Sequence, residues 1–285
     1  NTEYTALKSI EDYQMKFQWH MPHEHRAAGR PAKTTPLYPL LKTQGAEFSV
    51  VNGWERTSFY KPSPEFIEEH SYYFPNWHDV VADEVKAVQE NVGIAELSGF
   101  NRFEIKGKGA YEWLNSLTCT KLPEKTGRVG LCYFLSDNGN IDAEATIVKF
   151  NEDHAWYCSA AAAEYHDMDW LVERLPNGSN IQINSLTNTH TVLIIAGPKA
   201  RSVMDATCPR ANFDQKKFPW MTAKPCFVGH VEAMVMAVSF SGEQAFEIHI
   251  PNIQLHAAYE ALTKAGSEFS LKHFGMYAIE SMRIE

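Results

Sequence analysis

A single carboxylate lies within an apolar, strand-like segment near the end of the sequence. Glu247 stands between Phe246 and Ile248, in a stretch from Val238 to Pro251 where two apolar runs flank a Gly-Glu turn. Burying a carboxylate is costly unless hydrogen-bond donors meet it. A ligand with adjacent N–H groups, such as a pterin with its 2-amino group and N3–H, would supply a bidentate pair of donors. The spacing leaves two alternatives open, a Glu247 that faces solvent and one that pairs with an Arg of the same chain.

Two further carboxylates follow a predicted tight turn in the middle of the chain. Asp142 and Glu144 come directly after the turn at 137–140, which separates two apolar runs. Regular alternation along a strand would place both side chains on one face. If that face lines a cleft, one of them could act as a base or as an electrostatic anchor near a reacting amine. The alternative is an acidic, solvated hairpin edge.

Other motifs are weaker. Gly197-Pro198 between a strand and a helix lacks the spacing and the Lys-Ser/Thr of a phosphate loop, so we interpret it as a packing turn. His23 and His25 have no Cys or carboxylate cluster at ligand spacing, and we predict no metal site. His166, beside two acids, is a further site candidate. The sequence has no Gly-x-Gly-x-x-Gly fingerprint, and it therefore carries no flavin or nicotinamide motif of its own.

The elements that would position these residues mix strands and helices. Apolar spacing predicts a helix over 77–91 and another over 164–175, and strands over 129–135, 141–150 and 245–250. Antiparallel strand pairs with interspersed helices favour an α+β fold. Residues 1–78 are rich in aromatic, Pro and His residues and short on periodicity. They favour an extended strap that connects to another surface.

Composition excludes several classes of protein. The formal net charge of the 285 residues is −9, which argues against a nucleic-acid partner and against an anionic membrane surface. The five cysteines form no C-x-x-C pair, which favours reduced thiols in the cytoplasm or the mitochondrial matrix.

The sequence shows no predicted membrane span and no signal peptide. It lacks an initiating Met and stops inside a predicted helix, so we expect a piece of a longer protein.

An ordered set of motifs resembles one family along nearly the whole chain. The chain resembles the folate-binding, aminomethyltransferase-like region of the dimethylglycine and sarcosine dehydrogenase family, which is related to the glycine cleavage T-protein. The motifs that carry the resemblance run in the family's order: Gly29-Arg-Pro31, Gly53-Trp-Glu-Arg56, Glu96-Leu-Ser-Gly-Phe100, Asn138-Gly-Asn-Ile-Asp-Ala-Glu144, Ala196-Gly-Pro198, Ser241-Gly-Glu243 with Phe246-Glu247, and the run from Phe274 to Glu285.

The resemblance implies a fold and an activity. The expected fold is the α+β aminomethyltransferase fold, with mixed and antiparallel sheets and flanking helices over 79–285. In such proteins an FAD domain precedes this region and a small C-terminal β-barrel follows it. We therefore expect FAD only in a preceding domain, in cis or in trans, and no barrel in this sequence. The implied reaction transfers a one-carbon unit from a methylated amine, as an iminium or as formaldehyde, to tetrahydrofolate, which gives 5,10-methylenetetrahydrofolate.

The resemblance also implies roles for individual residues. Glu144 matches the acidic residue near the reacting folate nitrogens, and Glu247 matches the carboxylate that pairs with the pterin. The other residues implied in cofactor binding are Phe240, Phe246, Glu243 and Tyr277. Ala245 stands where relatives carry Gly, and if that position needs a positive φ, Ala would strain the turn.

Two other functions fit the same motifs. One is a non-catalytic binding or regulatory subunit on the same fold, since a fold does not fix an activity. The other is a folate-dependent S-demethylase, whose product would be a 5-methylfolate.

Overall fold

The computed structural model describes residues 2–97 and 99–284. Ser98 and Glu285, which belong to two of the motifs above, lie outside the described residues. No helix within the described ranges is long and apolar enough to cross a membrane.

Eight α-helices lie within the described residues. In chain order they are α1 Thr2–Gln14, α2 Tyr38–Thr43, α3 His78–Glu90, α4 Ala110–Ser116, α5 Glu164–Glu173, α6 Ala200–Thr207, α7 Leu255–Gly266 and α8 Met276–Ile284.

The same part of the chain forms thirteen β-strands. They are β1 Ala46–Val51, β2 Trp54–Tyr60, β3 Gly93–Leu97, β4 Asn101–Lys106, β5 Val129–Leu135, β6 Ile141–Asn151, β7 His154–Ser159, β8 Gln182–Ser185, β9 His190–Ala196, β10 Thr222–Val228, β11 Val231–Ala237, β12 Ala245–Pro251 and β13 Lys272–His273.

The strands form two large sheets and a separate hairpin. The six-stranded sheet has the order β10-β11-β12-β9-β3-β13, and the five-stranded sheet has the order β5-β6-β7-β4-β8. Their neighbouring strands run antiparallel apart from β13, which pairs in parallel with β3. Strands β1 and β2 form the hairpin. Mixed and antiparallel sheets with flanking helices confirm the fold class expected from the sequence.

The six-stranded sheet is buried on both faces. Alternation sends Phe246, Ile248 and Ile250 of β12 into a core that α6 and α7 cover. On the opposite face, β9 contributes Val192 and Ile194 to a second core, which α3, α8 and β2 cover. Because β9 is buried on both sides, its sequence is a continuous apolar run.

The five-stranded sheet has a different partner on each face. Helices α4 and α5 pack on its outer face around Phe103, Phe134 and Tyr157. Its inner face contributes Val148 and Trp156 to a small core that the six-stranded sheet completes. We call this junction of the two sheets the seam.

The Gly197-Pro198 turn is a packing turn, as the sequence predicts. Gly197 follows β9 with φ 119°, and a Cβ atom there would lie 2.3 Å from the carbonyl oxygen of Val88 in α3. This close approach of two backbones excludes a side chain at the position.

Residues 1–78 contain more regular structure than their composition predicts. They hold α1, α2 and the β1–β2 hairpin, and Phe59 of β2 is fully buried in the core under α8. Helix α2 and strands β1 and β2 form no long periodic run, because each is shorter than eight residues. Helix α1 has 13 residues but buries none of them, so no apolar face marks it in the sequence. Their role as a connection to a further domain stays a prediction.

A buried carboxylate joins the hairpin to the rest of the chain. Glu84 of α3 accepts hydrogen bonds from the backbone N–H of Tyr60 at 2.7 Å and of Gly275 at 2.9 Å, one on each oxygen. Burial raises the pKa of Glu84 to about 7 although both N–H groups act in the opposite direction. One side chain thus ties together β2, α3 and the turn before α8.

We expect Glu84→Gln to destabilise the fold by about 1–3 kcal/mol, because the amide NH₂ leaves one buried N–H without an acceptor. Urea denaturation at pH 8 measures the effect. Asp83→Asn, at an exposed position of the same helix, is the matched control. Equal unfolding free energies for the two variants would contradict this role of Glu84.

Candidate functional site

Strand registers place Glu144 and Glu247 on faces that look toward the same seam. Glu144 and Val148 are four residues apart in β6, where the register is regular, so both side chains lie on the inner face of the five-stranded sheet. Val148 packs with Met236 of the six-stranded sheet. Met236 is in turn the cross-strand partner of Glu247. The two carboxylates therefore belong to facing surfaces.

Glu247 is neither buried dry nor fully solvated. Its side chain is 24% exposed, and its Oε2 lies 3.2 Å from Nε2 of His249. Among the described residues this imidazole lies within 4.0 Å of the carboxylate, whereas no Arg or Lys nitrogen does. The carboxylate thus keeps acceptor capacity for a donor that enters from the cleft.

A small pocket opens beside Glu247. Its walls are apolar and aromatic apart from Glu247 and Ser241, and they consist of Ile194, Ala196, Val238, Phe240, Ser241, Ala245, Glu247, Phe274 and Ile279. Its volume of about 10 Å³ is that of roughly one water molecule. The acceptor chemistry fits a pterin, whereas the size admits one only if the loop at 238–244 moves outward.

Phe240 forms the outer wall of this pocket. It is 45% exposed, its ring meets that of Phe100 edge-on at 6.3 Å, and the guanidinium of Arg283 lies 5.3 Å from its centroid. An exposed aromatic side chain on a loop without regular structure can change position at modest cost.

A buried cation, Arg102, contacts the same imidazole as Glu247. Arg102 of β4 is 2% exposed, and its Nη1 lies 2.6 Å from Nδ1 of His249. Burial, and then the charge of Arg102, lower the pKa of His249 to about 4. His249 is therefore a neutral ring between a cation and a carboxylate at neutral pH.

Glu144 lies nearer to solvent than Glu247. It is exposed, it pairs across the hairpin with Tyr133, and the bond of that phenol to its carboxylate raises the pKa of Tyr133. An exposed carboxylate with a phenol as partner keeps acceptor capacity for a further donor.

Asp142 does not share the surroundings of Glu144. The hairpin register shifts between Phe134 and Leu135, opposite Asp142, so the regular alternation predicted from the sequence is interrupted there. As a result, Asp142 accepts a hydrogen bond from Nε1 of Trp170 in α5 at 3.1 Å. The structure therefore leaves Glu144 as the carboxylate of this segment on the inner face.

Three residues implied in cofactor binding do not line the pocket. Phe246 points to the opposite face of β12, where it is fully buried against Phe213 and Phe218. Tyr277 packs against Trp77 at 4.6 Å within the core under α8. Glu243 lies partly exposed in the loop. The geometry brings Phe240 and Glu247 together, and alternation along β12 separates Phe246 from Glu247.

Ala245 is not strained. It is the first residue of β12 and pairs with Ala196 of β9, so its backbone is extended and needs no positive φ. Its methyl group contributes to the pocket wall.

Sequence reasoning missed Arg102 and His249. His249 follows Glu247 by two residues, so strand alternation could have placed both on one face. Arg102 is 147 residues distant in sequence, and no local pattern connects it to them.

The chain is similar to proteins of one family. The family model described as "GCVT N-terminal domain" matches residues 37–285. The chain is 29% identical to dimethylglycine dehydrogenase, mitochondrial, of Homo sapiens, over all of this chain and 33% of that protein. It is also 29% identical to pyruvate dehydrogenase phosphatase regulatory subunit, mitochondrial, of Mus musculus, over 90% of this chain and 30% of that protein. It thus spans about a third of the length of these relatives.

A solved structure shares the fold. Glycine cleavage system aminomethyltransferase T from Bartonella henselae superposes with a TM-score of 0.71 at 20% sequence identity, over 89% of this chain and 62% of that one. At this identity the match shows the fold alone.

The buried histidine makes stability depend on pH. The pKa of His249 falls from an ordinary value near 6.5 to about 4 on folding, so the folded state binds fewer protons than the unfolded state between these values. The stabilisation is present above pH 6.5 and is lost as the pH falls toward 4. We expect His249→Gln to lose less unfolding free energy than the wild type between pH 7 and pH 5, as measured by urea denaturation.

The exposed His230→Gln provides the control for this comparison, and it should behave as the wild type does. Part of the acid dependence should persist in His249→Gln, because burial also lowers the pKa of His190 and of His273 to about 4. If wild type and His249→Gln lost the same unfolding free energy between pH 7 and pH 5, the prediction would be contradicted.

Proposed function

Because the chain belongs to the GCVT N-terminal domain family, we propose that its seam binds tetrahydrofolate and assists the transfer of a one-carbon unit to it. The observation that carries the proposal is Glu247, a partly exposed carboxylate that lies in an apolar pocket and contacts a neutral imidazole. Such a group gains most from a ligand that brings its own N–H donors.

Recognition of the folate would rest on Glu247. The N3–H and 2-amino group of the pterin donate in parallel, and a carboxylate accepts such a pair in bidentate fashion. Apolar contacts with Ile194, Phe274 and Phe240 would cover the ring. For the ring to enter, Phe240 and its loop move away from the position they occupy here.

Glu144 would act at the reacting nitrogens. A tetrahydrofolate held at Glu247 would extend along the seam, toward the inner face on which Glu144 lies. In the proposed reaction, N5 and N10 each form a bond to the carbon of an iminium, the amine leaves with its bonding electron pair, and two N–H protons are released. The amine takes up one of them, and the carboxylate of Glu144 accepts a proton from a folate nitrogen during the attack. Holding the nitrogen close to the carbon is the larger contribution of the protein.

The donor of the one-carbon unit would be a methylated amine that is oxidised elsewhere. We infer that an FAD domain, in cis or in trans, performs this oxidation, in line with the dehydrogenase relative. The mitochondrial names of the relatives favour the mitochondrial matrix over the cytoplasm.

We expect Glu247→Gln to weaken tetrahydrofolate binding about tenfold or more, because an amide replaces one charged acceptor by a donor. Isothermal titration calorimetry under anaerobic conditions measures the affinity. Glu232→Gln, at an exposed position of β11, is the matched control and should bind as the wild type does. Absence of binding to the wild type at millimolar ligand would remove the proposed function.

We expect Glu144→Gln to keep the affinity for tetrahydrofolate within a few-fold and to lower the rate of transfer by about 100-fold. The readout is the formation of 5,10-methylenetetrahydrofolate from formaldehyde, measured above the uncatalysed rate. Asp137→Asn, in the turn that precedes β6, controls for the loss of a charge near the hairpin. An unchanged rate would show that Glu144 does not act in the transfer. In a separate assay with a methyl sulfonium in place of formaldehyde, a 5-methyl product would favour demethylation of a sulfonium.

A regulatory subunit without catalysis is the second candidate function. Two observations favour it, namely the similarity to a phosphatase regulatory subunit and the small volume of the pocket. Wild-type protein that binds no folate but co-purifies with an enzyme at fixed stoichiometry would support this candidate against the first.

A further inference from the structure

Arg102 and His249 form a hydrogen-bonded pair across the seam. Arg102 belongs to the five-stranded sheet and His249 to the six-stranded sheet, and Nη1 of Arg102 lies 2.6 Å from Nδ1 of His249. A guanidinium has donors only, so Nδ1 must be the acceptor. The neutral ring therefore carries its proton on Nε2, which is the atom that lies 3.2 Å from Oε2 of Glu247.

The donor groups in this arrangement all point from Arg102 toward Glu247. Arg102 donates to His249, and the Nε2–H of His249 faces Glu247. The 3.2 Å approach is a close polar contact that lies outside the angular range of a hydrogen bond in this structure. Each carboxylate oxygen accepts two hydrogen bonds, so this contact leaves acceptor sites for a bidentate ligand.

Because Arg102 is buried, its charge interacts strongly with the groups around it. Arg102 and His249 are 2% and 3% exposed, and within residues 2–97 and 99–284 the side chain of Arg102 makes one further hydrogen bond, a 3.4 Å contact to the carbonyl oxygen of His190. An isolated buried cation is costly, and its attraction to an anion is only weakly screened. Burial lowers the pKa of Arg102, and the groups that act in the opposite direction are Cys158 and then Glu247. The carboxylate is thus the counter-charge of Arg102, with an imidazole between them.

We propose that Arg102 and His249 are positioning residues for Glu247, which hold one oxygen of its carboxylate and leave the remaining acceptor sites toward the pocket. The inference rests on the proposed function and deepens it, because it assigns the residues that prepare the pterin-binding carboxylate. Neither residue lines the pocket, so both act through Glu247.

Two substitutions of the imidazole separate this role from simple packing. His249→Gln keeps an acceptor for Arg102 and a donor for Glu247, whereas His249→Leu keeps volume and removes both. We expect His249→Leu to weaken tetrahydrofolate binding about tenfold and His249→Gln to restore most of that loss. Equal affinities for Leu and Gln would overturn the proposal.

A measurement without folate tests the arrangement independently. In ¹⁵N-labelled protein, the ring nitrogens of His249, assigned through His249→Gln, should show a neutral ring with the proton on Nε2. In Arg102→Met this tautomer preference should be lost. A proton on Nδ1 in the wild type would overturn the proposal even if folate binds. If the tautomer is as expected but no folate binds to the wild type, only the proposed function fails.

Discussion

The contact between the two sheets at the seam is the constraint on which the candidate site depends. The five-stranded sheet supplies Val148 and Trp156, and the six-stranded sheet supplies Ala223 and Met236. The site lies beside this apolar contact and consists of groups from both sheets. Glu144 comes from one sheet and Glu247 from the other, so the packing of a few apolar side chains determines how these polar groups are placed relative to each other.

Within that frame, strand alternation decides which residues reach the cleft. On β12, one face carries Phe246 and Ile248 into the core, and the other carries Glu247 and His249 to the seam. A shift of one residue in register would bury the carboxylate and expose the core. The long antiparallel ladder with β9, which runs from Ala245 to Pro251, fixes this register.

The sequence predicts the elements and the unusual position of Glu247 because both are local properties. The helix over 77–91 corresponds to α3, and the packing turn at Gly197 follows from its flanking patterns. The conformation around Asp142 was not predictable, because a one-residue register shift leaves no mark on polarity. Arg102 was not predictable either, since its contact with His249 depends on how two separate sheets dock. Family resemblance supplied the ligand class, which periodicity and spacing alone cannot supply.

The closed pocket sets an energetic condition on any ligand. Phe240 gains contacts with Phe100 and Arg283 in its present position, and a ligand must offset their loss when the loop at 238–244 opens. Both contacts are partly exposed, and each is worth about 1 kcal/mol or less. A bidentate pair of hydrogen bonds to a carboxylate and burial of a heterocycle are the contributions that would act against that cost. The present position of Phe240 therefore enters the free energy of binding of any ligand that reaches Glu247.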